Sequence, residues 1–373
     1  MSAEAPSRAA PRGDIPSLDG IRAVAVTLVF LAHSGLERII PGGLGVTIFF
    51  VLSGYLITTL MRAEHAATGE VRLRAFYLRR GLRLMPPLLV VVALAALLAA
   101  AGIADGQFSG RGLAAVLLYF GNYHVIAADF DGVPAGIGVV WSLAVEEHFY
   151  LFYPPLAIAL LRGGSRLASG AVLGGLCAAV LAWRCVLSLQ GGLEDWIGMA
   201  TDTRIDAILV GCLMALTWNP WLDRVPAARP LREGAVALGC GALLLGTLAF
   251  RDVLFRDTLR YTLQSLAIAP LIWLAVARPQ WLAFRWLNAA PVAYVGKVSY
   301  TIYLCHHLIL LAIAHRLPQV GWLPAMLLGA VLTLGVAEPM RRFVEEPCAR
   351  LRRRLHGRRK SSPASAAHPV TAA

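Results

Sequence analysis

The chain has 373 residues, 58% of them hydrophobic and 15% charged, with a mean hydropathy of +0.65, which excludes a water-soluble globular domain because that much apolar surface cannot be hidden from water. The formal net charge of +12 does not make it a nucleic-acid binder: its Arg and Lys residues sit in loops between apolar segments, not along one exposed face. That distribution marks the cytoplasmic side of a membrane protein.

Residues 1–17, rich in Ala, Pro, Ser and Arg, read as a disordered cytoplasmic leader without an apolar signal region. Apolar segments follow at 20–35, 43–61, 84–104, 112–126, 139–161, 167–189, 205–218, 234–250, 258–277, 291–315 and 322–343. Lipid leaves backbone groups no other partner, so these must be helices. Loops 62–83 and 219–233 and the tail are strongly basic and belong inside, which puts both termini in the cytoplasm and makes the number of crossings even. The acidic loop with Asp129 and Asp131 then lies outside only if 112–126 does not span. The expected fold is all-α and polytopic, with about ten transmembrane helices and a re-entrant or interfacial 112–126. The membrane domain covers 18–347 and a basic, disordered cytoplasmic tail covers 348–373. The six cysteines include no CxxC pair, so neither a disulfide framework nor a metal site is suggested.

Ionisable side chains in membrane helices are costly and are functional candidates by default. In 18–35, Arg22 opens a helix and His33 follows about 16 Å along the axis, where it could take a proton from a hydroxyl or simply bond to backbone. Asp19 reads as the helix cap. In 42–58, Gly and Ser suit close helix packing. In 76–87, Arg79, Arg80 and Arg83 gather at a membrane edge, fit either for phosphates or for anionic lipid headgroups. In 141–155, Glu146, Glu147 and His148 stand together; a carboxylate there could orient His33, or pair with an arginine. Arg204 and Asp206 read as an ion pair at the outer interface. Ser299, Tyr303, His306 and His307 share one apolar helix and could line an acceptor or acyl site. The run 338–347 reads as an ion-pair lock.

Taken in order, these residues resemble the acyltransferase-3 family of membrane O-acyltransferases over about 18–347. The matching features are Arg22 with His33, the run from Phe49 to Ile57, Arg80 with Arg83, and Trp141-Ser142-Leu143 with Glu146 and Glu147. Asp202 to Asp206, Ser299-Tyr300 through Tyr303 to His306, and Glu345 before Pro347 complete the set. The resemblance implies acyl-CoA, usually acetyl-CoA, as the donor substrate, with no bound cofactor, and a carbohydrate hydroxyl as acceptor. It also implies a catalytic role for His33 with Arg22 and donor-phosphate contacts from Arg80 and Arg83. Two departures stand out. Thr47 occupies a position that is often acidic in the family, and no hydrolase-like domain follows the membrane part, so transfer is expected to be completed alone or with a separate partner.

The combined expectation is an enzyme of the bacterial inner membrane. His33 would remove the acceptor proton, Glu146 or Glu147 would orient it, and Trp141, Ser142, Ser299, Tyr303 and His306 would contact substrate. The rival expectation is a transporter or exporter of a glycan or small molecule, since buried charges also mark transport pathways. Against it, the sequence has neither paired broken helices nor an internal repeat.

Overall fold

The computed structural model describes residues 14–357, and every regular element among them is helical. In chain order these are α1 (Leu18–Leu31), α2 (Gly42–Thr68), α3 (Leu73–Ala100), α4 (Gly110–Leu117), α5 (Gly121–Ala128), α6 (Trp141–Gly163), α7 (Arg166–Gln190) and α8 (Glu194–Met199). They continue with α9 (Thr201–Thr217), α10 (Pro230–Ala249), α11 (Val253–Asp257), α12 (Leu259–Ala277), α13 (Ala290–Lys297), α14 (Ser299–Arg316), α15 (Trp322–Met340) and α16 (Glu346–Gly357).

Among the described residues seven helices are long and apolar enough to cross a membrane, and α13 with α14, bent by 71° at their junction, make an eighth if the pair is one span. On that measure the expected count of about ten is not reached. The shortfall comes from α6, which carries Glu146, Glu147 and Arg162, and from α9, which has 17 residues and carries Asp202, Arg204 and Asp206. Both contribute buried residues to the largest core, and a helix screened from lipid by its neighbours need not be apolar all round. The stretch 112–126 is divided between α4 and α5, eight residues each, and a helix of about 12 Å is too short to span.

The basic stretch 62–83 is mostly not a loop: α2 runs on to Thr68 and α3 starts at Leu73, so Arg79, Arg80 and Arg83 stand on helical turns. The stretch from 348, expected to be disordered, is helical to Gly357; residues 1–13 of the expected leader and 358–373 of the expected tail lie outside the described residues. Ser17, assigned to the leader, is buried, donating its N–H to Asn288 Oδ1 and its hydroxyl to Ala275 O, both at 2.8 Å. Asp19 does not cap α1. It pairs with Arg22 at 2.9 Å, and Ser17 holds the cap position.

α2 and α9 cross in close contact. A Cβ on Gly54 would stand 1.9 Å from Ile208 O, and one on Gly211 would stand 2.0 Å from Val51 O, so the two backbones touch as only glycine allows. This is the close approach expected of 42–58. The basic segments collect at one end of the bundle. Asp223 ties Arg62 (2.8 Å) to Arg166 (2.9 Å), Glu233 holds Arg278 (2.9 Å), and Glu338 holds Arg341 (2.8 Å) and Tyr294 (2.7 Å), which is the expected lock at 338–347. From that basic end α1 runs across the bundle and breaks into a π-helical turn, Ala32–Leu36, containing Gly35 at φ +96°, a conformation side chains resist.

Candidate active site

Two cavities lie back to back inside the bundle. The first, a narrow cleft of about 100 Å³ toward the basic end, is lined by Arg22 from α1, Arg80 and Arg83 from α3, Ser53 from α2, Ser142, Glu146 and Tyr150 from α6, and Ser299, Tyr300 and Tyr303 from α14. Arg80 lies 3.7 Å above the Tyr150 ring, and its Nε is buried with no hydrogen-bond partner. Glu146 accepts from the Tyr150 hydroxyl at 2.7 Å and from Ser53 Oγ at 3.4 Å, and Ser53 and Tyr150 bond to each other. Three guanidinium groups therefore face one carboxylate inside the cleft, with Asp19 paired to Arg22 beside it. A cleft with that excess of positive charge suits an anion, and guanidinium geometry suits phosphate in particular.

The second cavity, about 360 Å³, opens on the far side and is lined by His33, Glu37, Trp141, Arg260, Tyr261 and Gln264 among others. Val46 and Tyr303 line both cavities and form the partition between them. The Tyr303 hydroxyl donates to Val139 O at 2.7 Å and so accepts from Ser142 Oγ at 2.6 Å, which fixes the ring in the partition. Trp141 stands edge-on to Phe50 at 6.4 Å.

His33 meets two histidines of α14. Its Nδ1 is 2.9 Å from His306 Nε2, and its ring stacks on His307 at 4.4 Å. The tautomers follow from what His306 faces on its other side. His306 Nδ1 is 2.8 Å from Tyr303 O and 3.1 Å from Ile302 O. Carbonyl oxygens only accept, so His306 Nδ1 carries the proton and Nε2 is an acceptor. A second proton on His306, which is fully buried, would place an uncompensated charge in the core. His33 Nδ1 must then donate, and His33 Nε2 keeps its lone pair free, the state a general base requires.

The expected partnership between His33 and Glu146 or Glu147 is not formed. Glu146 faces the first cavity and bonds to Tyr150 and Ser53, while Glu147 Oε1 is buried without a partner. The position expected for a carboxylate is taken by His306, which thus orients the imidazole instead of lining a cavity. Arg80 and Arg83 are brought together as expected, as are Ser142, Ser299 and Tyr303. Arg22, expected to support His33, instead lines the first cavity with Arg80 and Arg83 and pairs with Asp19, while His33 lines the second. Arg204 does not pair with Asp206. It stacks on Tyr261 at 3.7 Å, while Asp206 joins Arg184 at 3.0 Å with both side chains fully buried. Sequence reading missed Ser53, Tyr150, Glu37, Tyr261 and Arg260. The first four carry no distinctive pattern, but Arg260 had a signal, an arginine at the end of its apolar segment away from the basic stretch 219–233.

Comparison with known proteins adds the following. The acyltransferase domain family matches residues 15–338. The peptidoglycan O-acetyltransferase OatA of Listeria monocytogenes is 30% identical over 353 residues, covering 89% of this chain and 55% of the relative. The O-acetyltransferase OatA of Staphylococcus aureus is 29% identical over 345 residues, covering 89% of this chain and 57% of the relative. The chain therefore spans little more than half the length of these curated relatives. No solved structure matches it.

Proposed function

Because the chain belongs to the acyltransferase-3 family, we propose that it is a membrane O-acyltransferase that moves an acyl group, in the first instance acetyl, from acyl-CoA to a hydroxyl of a glycan, glycolipid or glycosylated metabolite. The observation that carries this reading is the pair of cavities sharing the Tyr303 partition, an arginine-rich one toward the basic end and one holding His33 toward the other. A donor whose phosphates rest on Arg22, Arg80 and Arg83 would extend its pantetheine arm toward Tyr303, and an acceptor would meet the thioester from the side of His33. His33 Nε2 takes the acceptor hydroxyl proton as the oxygen attacks the thioester carbonyl, the C–S bond breaks, and the proton passes to the departing CoA thiolate. Product is the O-acyl ester and free CoA.

The same reading places the protein in a bacterial cytoplasmic membrane with the basic end inside. Counting α6 and α9 as crossings alongside the eight apolar spans would restore ten, with both ends of the chain on the donor's side.

The test is thiol release from acetyl-CoA by the purified protein supplied with a crude glycan and glycolipid extract. Loss of the general base in His33→Ala is expected to lower release about 100-fold or more. A parent protein that released nothing above background with several acyl-CoA donors, and bound no CoA, would transfer the assignment to a transporter.

A further inference from the structure

We infer that the acceptor carries a negative charge, a carboxylate or a phosphate near the hydroxyl to be acylated, and that Arg260 holds it. This rests on the transferase reading of the cavity that contains His33. Arg260 stands one residue into α12, where it lines that cavity together with Tyr261 and Gln264. Among the described residues no carboxylate forms an ion pair with it, Asp257 three positions earlier included. One of its terminal nitrogens donates to the Tyr261 hydroxyl at 3.0 Å, whereas its Nε is buried and bonds to nothing.

The neighbourhood does not neutralise it. Arg204 lies 3.7 Å from the Tyr261 ring and Arg260 lies 4.9 Å from it, so two guanidinium groups flank one phenol. Asp206, which would have balanced Arg204, is committed to Arg184. The one carboxylate lining the cavity is Glu37, which is exposed on the segment after the π-helical turn. An anionic ligand in the cavity would be held by charge-assisted hydrogen bonds from the terminal nitrogens of Arg260. The charge lies in the cavity of His33, so the ligand it selects is the molecule whose hydroxyl His33 deprotonates. Trp141, which also lines the cavity, supplies an aromatic ring of the kind a sugar covers.

The same guanidinium could meet the phosphate of a lipid headgroup, and the experiment separates the two sources. The full chain is placed in phosphatidylcholine nanodiscs with radiolabelled acetyl-CoA and a crude glycan and glycolipid extract split by anion exchange into neutral and anionic fractions. Label is expected to enter the anionic fraction about tenfold faster or more, the worth of a charge-assisted hydrogen bond. That ratio should collapse toward one in Arg260→Gln and be partly kept in Arg260→Lys. Carboxyl reduction or phosphatase treatment of the fraction then identifies which anion is read. Equal labelling of both fractions by the parent overturns the inference, as does an unchanged ratio in Arg260→Gln. So does an effect of Arg260→Gln that appears only when phosphatidylglycerol is added to the bilayer. CoA release without charge preference sinks this inference alone, and the absence of release with either fraction sinks it together with the transferase reading.

Discussion

His306 has no freedom in which nitrogen carries its proton, because both oxygens near Nδ1 are backbone carbonyls. That constraint passes through one hydrogen bond to His33, so under the proposed function His306 is a positioning residue for the base. Removing it in His306→Ala leaves His33 Nδ1 without an acceptor and frees the ring to take the wrong tautomer. The expected result is a fall in kcat of about 100-fold with KM for acetyl-CoA little changed, since the arginine-lined cleft proposed for the donor is lined by other residues. His306→Gln can accept from His33 and donate to a carbonyl, and should recover part of the loss. Equal damage in both variants, with KM rising alongside, would mean that His306 only fills space. If the cleft takes the donor as proposed, Arg80→Ala is expected to raise KM for acetyl-CoA several-fold, because its guanidinium lines the cleft and is held in place over the Tyr150 ring.

At the scale of elements, the crossing of α2 and α9 holds the site in shape. Ser53 and Val46 of α2 line the arginine-rich cleft, and Gly54 beside Ser53 allows the contact with Ile208. In Gly54→Ala the new methyl would collide with backbone, which cannot yield as a side-chain tip can, and a loss of about 3 kcal/mol or more is expected. Gly81 in α3 has open space around its Cβ position. Gly81→Ala should be neutral or stabilising by a few tenths to about 1 kcal/mol, as in any helix interior. Thermal unfolding of the two variants in the same detergent tests the pair, and equal melting temperatures would show that the close approach does not limit stability.

For the whole molecule, Asp223 joins segments that are far apart in sequence, with Arg62 on one side and Arg166 on the other. Burial pushes its carboxyl up, but the hydrogen bond from Arg62, the N–H of Asn219 and the charges of Arg62 and Arg166 outweigh that and hold it below the ordinary value of 3.8. A carboxyl depressed on folding contributes stability that is complete above the unfolded value and drains away as pH falls through the folded one. Asp223→Asn should therefore lower stability near neutral pH and converge with the parent in strong acid, as read from melting temperature against pH. Parallel curves at all pH values would contradict it.

Residue pattern alone determined that this chain is an all-helical membrane protein, because composition and run length decide whether a segment can leave water and lipid forces the segment into a helix. It also marked His33, Arg22, Arg80, Arg83 and Tyr303, since ionisable and hydroxylated groups stand out against an apolar background. The distribution of charge along the chain further indicated that 112–126 stays out of the row of spanning helices. Which partner each group finds was decided only by the tertiary structure. Asp206 turned to Arg184 and His33 to His306, pairs separated in the chain by 22 and 273 positions. Pairing of that kind depends on how helices cross and rotate, and the crossing of α2 with α9 is set by a glycine contact between backbones that no periodicity reports. For the same reason the division into two cavities, and the presence of Arg260 in one of them, became visible only when the helices were packed.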